Sequence, residues 1–331
     1  MKTRITLILL VVLMGGSAAD AQKRTVGAIA FYNVENLFDA VDDPNNEGDN
    51  DFLPDGSYGW TQERFENKKE KIGWVLSKMA NGADIIGLAE LENLFVVQEL
   101  IANPQLAKMG YQLVHKESPD YRGIDVGLIY KPDRFKLLDY RAIRFPDTTY
   151  QSRDVLHVKG LYFGDTLHVF VNHWPSRLGG KADKRELQGA ALREEVNVLL
   201  AKNPQAKIVI MGDLNDDPIN KSVKKDLWAG GDPVKLEPGE LFNPSAATFK
   251  QGYGTLMYRG TWNLFDQIIV SQGLMKGDGI TYQPGSFSVF GPDEMRVQAG
   301  ESAGGPLRTT SRGVYQNGYS DHFPTYILIQ K

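Results

Sequence analysis

Six apolar runs of strand length, each with Asn, Asp, Glu or His at one end, constrain this chain more than any other feature. The sharpest is Ile208-Val-Ile-Met-Gly-Asp-Leu-Asn-Asp-Asp-Pro218, where the apolar residues stop on Gly212-Asp213-Leu214-Asn215. The run reads as a buried strand followed by a tight turn. Asp213 and Asn215 are two apart, so both can face one pocket while Leu214 faces the core. A carboxylate and a carboxamide so placed suit a hard cation and a phosphate. The other runs repeat the pattern. Residues 27–36 end on Asn33, residues 84–93 place Glu90 at a strand end, and residues 168–177 end a strand on Asn172-His173. Asp266 opens the run to Val270, and Asp321-His322 stands just before Thr325-Tyr-Ile-Leu-Ile329. A polar loop after a strand explains any one of these. Together they point to a ligand site gathered at the strand ends of an α/β sandwich.

With 331 residues, 42% of them hydrophobic and 24% charged, the chain can bury a large core. The absence of cysteine excludes disulfides, thiolate catalysis and cysteine–zinc sites. A net charge of -4 gives no global attraction for nucleic acid, so polyanion binding would need a local basic patch and metal ions. Lys2 and Arg4, the apolar run Ile5 to Met14 and Ala19-Asp20-Ala21 read as a secretory signal over residues 1–21. The mature protein is expected to start near Gln22, as one domain over 22–331, exported to the periplasm or beyond. The apolar run falls short of the ~20 residues that span a bilayer, so stable membrane insertion is not expected. A monomer is the default expectation.

Residues 39–59, rich in Asp, Asn, Gly and Pro, read as a solvated loop without EF-hand spacing. Thr61 looks like the N-cap of a helix whose stripe is Phe65, Ile72, Val75, Leu76 and Met79. A short helix is expected from about Leu94, strands over 111–115 and 127–130, and a hairpin of Val155–Tyr162 with Leu167–Asn172 around Gly164-Asp165. Asp183 is expected to cap a helix to Leu200 with Leu187, Ala190, Ala191, Val196 and Leu199 on its apolar side. Residues 230–260 and 285–318 read as long irregular loops that border a site. Hairpins mixed with strand–helix alternation argue an α/β fold with mixed sheets.

Taken together, these segments resemble the endonuclease/exonuclease/phosphatase superfamily, which includes deoxyribonuclease, exonuclease III-type nucleases, sphingomyelinases and inositol polyphosphate 5-phosphatases. The resemblance runs from Asn33 to His322 in the family's order, with Gly212-Asp-Leu-Asn215 and Ser320-Asp-His322 most specific. Tyr32-Asn-Val-Glu-Asn-Leu-Phe38 and Arg122-Gly-Ile-Asp-Val126 look closest to exported bacterial members. It implies a four-layered α/β sandwich of two packed mixed sheets flanked by helices. It also implies Glu90 as chief metal carboxylate, with Ala89 in place of the usual Gln before it, Asn33 as a metal or phosphate holder, and Asp321 as a second metal-side carboxylate. Asp213 would orient or deprotonate the attacking water, and Asn215 would hold a phosphate oxygen. His173 would contact the phosphate and protonate a leaving oxygen, and Asp266 would be the partner of the catalytic His322. The implied cofactor is Mg2+, with Mn2+ or Ca2+ as alternatives.

Of the five histidines, His115, His157 and His168 read as structural. Glu35 and Glu92 read as supporting or solvated groups; Asp125 and Arg122 stand evenly between site and scaffold. Ser320 lacks a nucleophile-elbow context. Arg177, Lys181, Lys184, Arg185 and Arg193 form either a basic rim for a polyanion or a solvated helix face balanced by Glu186, Glu194 and Glu195. Trp174, Tyr258 and Trp262 either stack on bases or pack under loops. Three functions follow: a secreted metal-dependent nuclease first, a sphingomyelinase-like or small-molecule phosphoesterase second, and an inactive binding module third.

Overall fold

The computed structural model describes residues 23–331 except Asn45 and Arg312. The expected signal segment lies outside the described residues. In chain order the elements are β1 (Thr25–Leu37), α1 (Gln62–Lys78), β2 (Ile85–Leu91), α2 (Leu94–Ala102), α3 (Pro104–Ala107), β3 (Gln112–His115), β4 (Asp125–Tyr130), β5 (Phe135–Ile143), β6 (Val155–Tyr162), β7 (Asp165–His173), α4 (Ala182–Lys202) and β8 (Lys207–Asp213). There follow β9 (Ala229–Gly230), β10 (Leu241–Phe242), α5 (Ser245–Lys250), β11 (Leu256–Tyr258), β12 (Thr261–Asn263), β13 (Asp266–Val270), α6 (Gln272–Met275), β14 (Thr281–Tyr282), β15 (Ser288–Val289), β16 (Thr310–Ser311), β17 (Val314–Tyr315) and β18 (Thr325–Gln330).

Two mixed seven-stranded sheets form the centre, one ordered β14-β18-β1-β2-β4-β3 with β15 on β18, the other β5-β6-β7-β8-β13-β10-β9. Each strand of the middle alternates between two cores. In β1, Ile29 and Phe31 face the opposite sheet, where they meet residues such as Val169, Val171, Val209, Met211 and Ile268. Ala28, Ala30 and Tyr32 face outward onto Ile72, Val75 and Leu76 of α1. On the far side, Ile208 and Ile210 of β8 pack under Leu192 and Val196 of α4. Strands covered on both faces lose the apolar–polar alternation, which is why these runs are continuously apolar. The result is helix, sheet, sheet, helix: the four-layered sandwich.

Thr61 caps α1 as expected, its hydroxyl accepting the Arg64 N–H at 3.3 Å. Thr61→Ala should cost about 1 kcal/mol of stability, read from a denaturant midpoint. In α4 the structure corrects the sequence reading. The N-cap is Lys181, without a side-chain bond, and Asp183 lies in the first turn. Leu187 and Ala190 are exposed, whereas Arg185, Gln188, Gly189, Leu192, Arg193 and Val196 are buried. That stripe keeps helical spacing, but two of its members are arginines: Arg185 pairs with Asp216, and Arg193 lies over the Trp228 ring. β5 went unread because it is an edge strand, largely exposed, with a bulge between Leu137 and Asp139.

Candidate active site

The strand directions bring the polar strand ends together. β1 and β2 are parallel, as are β7 and β8, so Asn33, Glu90, His173 and Asp213 all sit toward carboxyl ends. β13 runs antiparallel to β8 and β18 antiparallel to β1, so Asp266 and the His322 segment enter at that same end. Register fixes the rest: Asp213 pairs with His173 on one side and Asp266 on the other. Gly212 is what lets β7 approach, since a Cβ there would meet the Asn172 carbonyl oxygen at 2.4 Å. Gly212→Ala should therefore push β7 from β8 and lower turnover by at least about tenfold while raising the urea sensitivity of the fold.

Two residues at the site hold left-handed backbone that only a determined surrounding maintains, Glu90 at φ 64 and Asn215 at φ 49. Asp213 Oδ1 accepts the Asn215 N–H at 2.9 Å, and Asn215 Nδ2 donates to the Trp174 carbonyl at 3.0 Å. Arg177 staples the same turn, donating to the Asn215 carbonyl and pairing with Asp216 and Asp217. Glu90 Oε2 accepts the Asn36 N–H at 2.9 Å and lies 3.4 Å from Arg122.

Asn33 turns its amide nitrogen, not its oxygen, to the carboxylates: Nδ2 donates to Asp213 at 3.0 Å and Glu90 at 3.3 Å, while Oδ1 accepts the Glu35 N–H. It clamps the two acids together. His173 Nε2 stands 3.7 Å from Glu90 and 3.6 Å from Asp213, and its Nδ1 is buried without a partner. Burial, with the Arg153, Arg122 and His322 charges, pushes the pKa of this imidazole well below the usual histidine value.

His322 has the opposite character. Its Nδ1 is 2.7 Å from Asp266 Oδ2 and its Nε2 3.7 Å from Asp213 Oδ2. Burial opposes protonation, but the Asp266 and Asp213 carboxylates overcome it and raise its pKa well above the ordinary value. Asp213 is raised to about 6, chiefly by burial and despite His322. Asp321 Oδ2 pairs with Arg308 at 2.9 Å and its Oδ1 lies 3.9 Å from His322.

Several supports escaped the sequence reading. Ser320 Oγ donates to the Asn33 carbonyl at 2.7 Å and accepts the His322 N–H at 3.0 Å, which joins β1 to the last turn. Buried Arg153 donates to the carbonyls of His173 and Trp174. Arg308 bridges Glu35 and Asp321. Each acts through carbonyls or carboxylates distant in sequence, which periodicity does not report. The basic rim is not a free rim: Arg185 and Arg193 are buried, Arg177 pairs with Asp216 and Asp217, and Lys184 pairs with Asp147. His115, Glu117 and Asp125 offer ligand atoms within 4.8 Å of one another, on β3, β4 and the loop between them. There His115 Nε2 is bound to Asp125 at 3.0 Å.

The sequence profile of the endonuclease/exonuclease/phosphatase family matches residues 28–331. No curated protein sequence matches the chain. Among solved structures, D. rerio TDP2 complexed with a single-strand DNA product is similar at TM-score 0.57 and 18% identity, over 92% of this chain and 98% of that one. The human nocturnin catalytic domain with bound sulfate gives TM-score 0.55 and 16% identity, over 93% and 97%. A mannosyl-6-phosphatase of Bacteroides thetaiotaomicron gives 0.56 and 16%, over 92% and 99%. At these identities the likeness is one of fold. Enzymes of the matched family use divalent metals. The chain belongs to the endonuclease/exonuclease/phosphatase family of phosphoester-hydrolysing enzymes.

Proposed function

We propose that the protein is an exported, divalent-metal-dependent phosphodiesterase that acts by in-line attack of water. The observation that carries this reading is the convergence of Glu90, Asp213 and the Asp266–His322 pair on one end of the sandwich. Glu90 suits a hard cation: it is a buried carboxylate held by the Asn36 N–H and the Asn33 amide. Asp321, bound to Arg308 and 3.9 Å from His322, is the second acidic group assigned to the metal side. A bound Mg2+, or Mn2+ or Ca2+ in its place, would supply Lewis acidity at the phosphoryl oxygens. Asp213 orients the water and takes its proton. Asn215, with one amide N–H beyond its bond to Trp174, donates to a phosphate oxygen. His322, fixed through Nδ1 by Asp266, presents a protonated Nε2 to the phosphate and the leaving oxygen. His173, its Nε2 3.7 Å from Glu90 and 3.6 Å from Asp213, contributes a hydrogen bond to the phosphate.

The pH dependence follows with its sign. Asp213 must be ionised, so turnover rises as pH passes about 6. His322 must be protonated, so turnover falls only when pH passes its raised pKa. A pH–rate profile should therefore be bell-shaped, and Asp266→Asn should bring the alkaline limb toward neutrality. A profile with no acidic limb would remove Asp213 from the base role.

Nucleic acid is the first substrate reading, and the pairing of Arg177, Lys184 and Arg185 with carboxylates favours short nucleotide-like esters over long duplex. The same observation keeps a sphingomyelinase-like or small-molecule phosphoesterase as the second. Among the described residues no helix is long and apolar enough to cross a membrane. Plasmid DNA, total RNA and a bis-aryl phosphodiester, each with magnesium or chelator, separate the readings. Cleavage of the diester alone sends the search to lipids and small phosphates.

A further inference from the structure

The segment around Asp125, which the sequence left between site and scaffold, carries a second group of metal-ligating side chains. His115 closes β3 and Asp125 opens β4. The two strands pair antiparallel with His115 opposite Gly127, so Asp125 is its diagonal neighbour on the same sheet face. Glu117 lies in the loop between them. An imidazole nitrogen and one oxygen from each carboxylate lie within 4.8 Å of one another. His115 Nε2 is 3.0 Å from Asp125 Oδ2, and His115 Nδ1 is 3.7 Å from Glu117 Oε1. Two donors bound at about 2.1 Å to one tetrahedral ion stand about 3.3 Å apart, so these spacings suit a shared ion.

Charge around this group is not balanced by the protein. Among the described residues no lysine or arginine lies within ion-pair distance of Glu117 or Asp125, and His115 is their shared partner. Asp154, 4% exposed, adds its charge to that of Asp125, and its Oδ1 is buried without a hydrogen bond. Exposed Arg144 reaches only the other oxygen, at 3.3 Å. Burial and the Asp125 charge push the Glu117 carboxyl up to about 7, and burial pushes Asp154 up to about 6. Carboxylates crowded in this way are costly until a cation joins them. An ion has a way in, because Glu117 and Ser118 line a cavity of about 690 Å³ whose walls include Glu47, Glu92 and Asp120.

We propose that His115, Glu117 and Asp125 form a divalent-cation site of the zinc class that shares no residue with the catalytic centre. One imidazole with two carboxylates is a donor set that zinc accepts, whereas magnesium and calcium take oxygen donors. The site spans the base of the loop over 116–124, where Asp125 Oδ1 also accepts the Ser118 N–H at 2.8 Å. Arg122 of that loop lies 3.4 Å from Glu90 and donates to Asn36. A bound ion therefore fastens the loop that presents Arg122 to the catalytic end. Nothing in this site depends on the phosphodiesterase reading.

In the test, the protein is stripped with chelator, returned to excess magnesium and dialysed against zinc, and the bound metal is measured by elemental analysis. Glu117→Gln and His115→Gln should each hold about one zinc ion fewer than the wild type at the same free zinc, or bind it at least about tenfold more weakly. Glu90→Gln should keep this ion, which separates it from zinc that enters the catalytic centre. Glu117 is exposed, so its variant should fold and keeps the test decisive if His115→Gln does not. Zinc should also slow trypsin cleavage after Lys116 and Arg122 in the wild type and not in Glu117→Gln. Equal zinc content in the wild type and Glu117→Gln overturns the site, as does loss of the same ion in Glu90→Gln. Equal protection from trypsin in the wild type and Glu117→Gln overturns the fastening of the loop.

Discussion

His322→Ala is expected to lower kcat on an unactivated alkyl phosphodiester by about 10³-fold or more, with the protein still folded. The effect is large because one side chain serves two contacts at once. Its Nδ1 holds the Asp266 carboxylate at 2.7 Å, and its Nε2 faces Asp213 at 3.7 Å. Alanine removes the proton that would reach the leaving oxygen and also leaves Asp266 buried without its partner. An unpaired buried carboxylate takes up a proton rather than remain charged, so the fold survives at a reduced melting temperature. Asp266→Asn keeps the shape but loses the charge that raises the His322 pKa, and should cost about 10²- to 10⁴-fold. Circular dichroism and a thermal melt beside the kinetics separate loss of chemistry from loss of fold. Wild-type turnover in folded His322→Ala would remove the histidine from the mechanism.

Glu90→Gln is expected to lower activity at low magnesium by about 10²- to 10³-fold, with partial recovery as the metal concentration rises. Glutamine has the same shape and can still accept the Asn36 N–H, so the strained turn at φ 64 is kept. What is lost is charge, and a hard divalent cation binds a neutral amide oxygen far less tightly than a carboxylate. The measurement is a metal titration of kcat and an apparent metal constant for each protein. A variant that loses activity but keeps the wild-type metal constant would show that Glu90 acts elsewhere than on the metal.

Much of this site was legible in the sequence because strand ends announce themselves. Glu90, His173, Asp213 and Asp266 each stand where a continuously apolar run stops or starts, and burial on both faces makes such runs conspicuous. The parallel and antiparallel pairings that gather those ends are not written in any one run, and the family resemblance supplied only the sandwich of two mixed sheets. Asn33 bonds to Glu90 and Asp213, yet its direction was not readable: the Glu35 N–H takes its oxygen and leaves the nitrogen for the acids. The α4 stripe was misread because a buried arginine looks solvated until its carboxylate partner, Asp216 for Arg185, is seen from another element. Arg153, Arg308 and Ser320 act through carbonyls and carboxylates distant in sequence, a kind of contact that periodicity does not report.

The most direct test of the account is hydrolysis of methyl 4-nitrophenyl phosphate by the protein with magnesium, with chelator, and with the His322→Ala variant. The account predicts release of nitrophenol that requires the metal, returns when the metal is restored, and falls by about tenfold or more in the variant, less than on an alkyl diester because nitrophenolate leaves without a donated proton. Release that persists in chelator or in the folded variant, or none with magnesium, manganese or calcium, would contradict it.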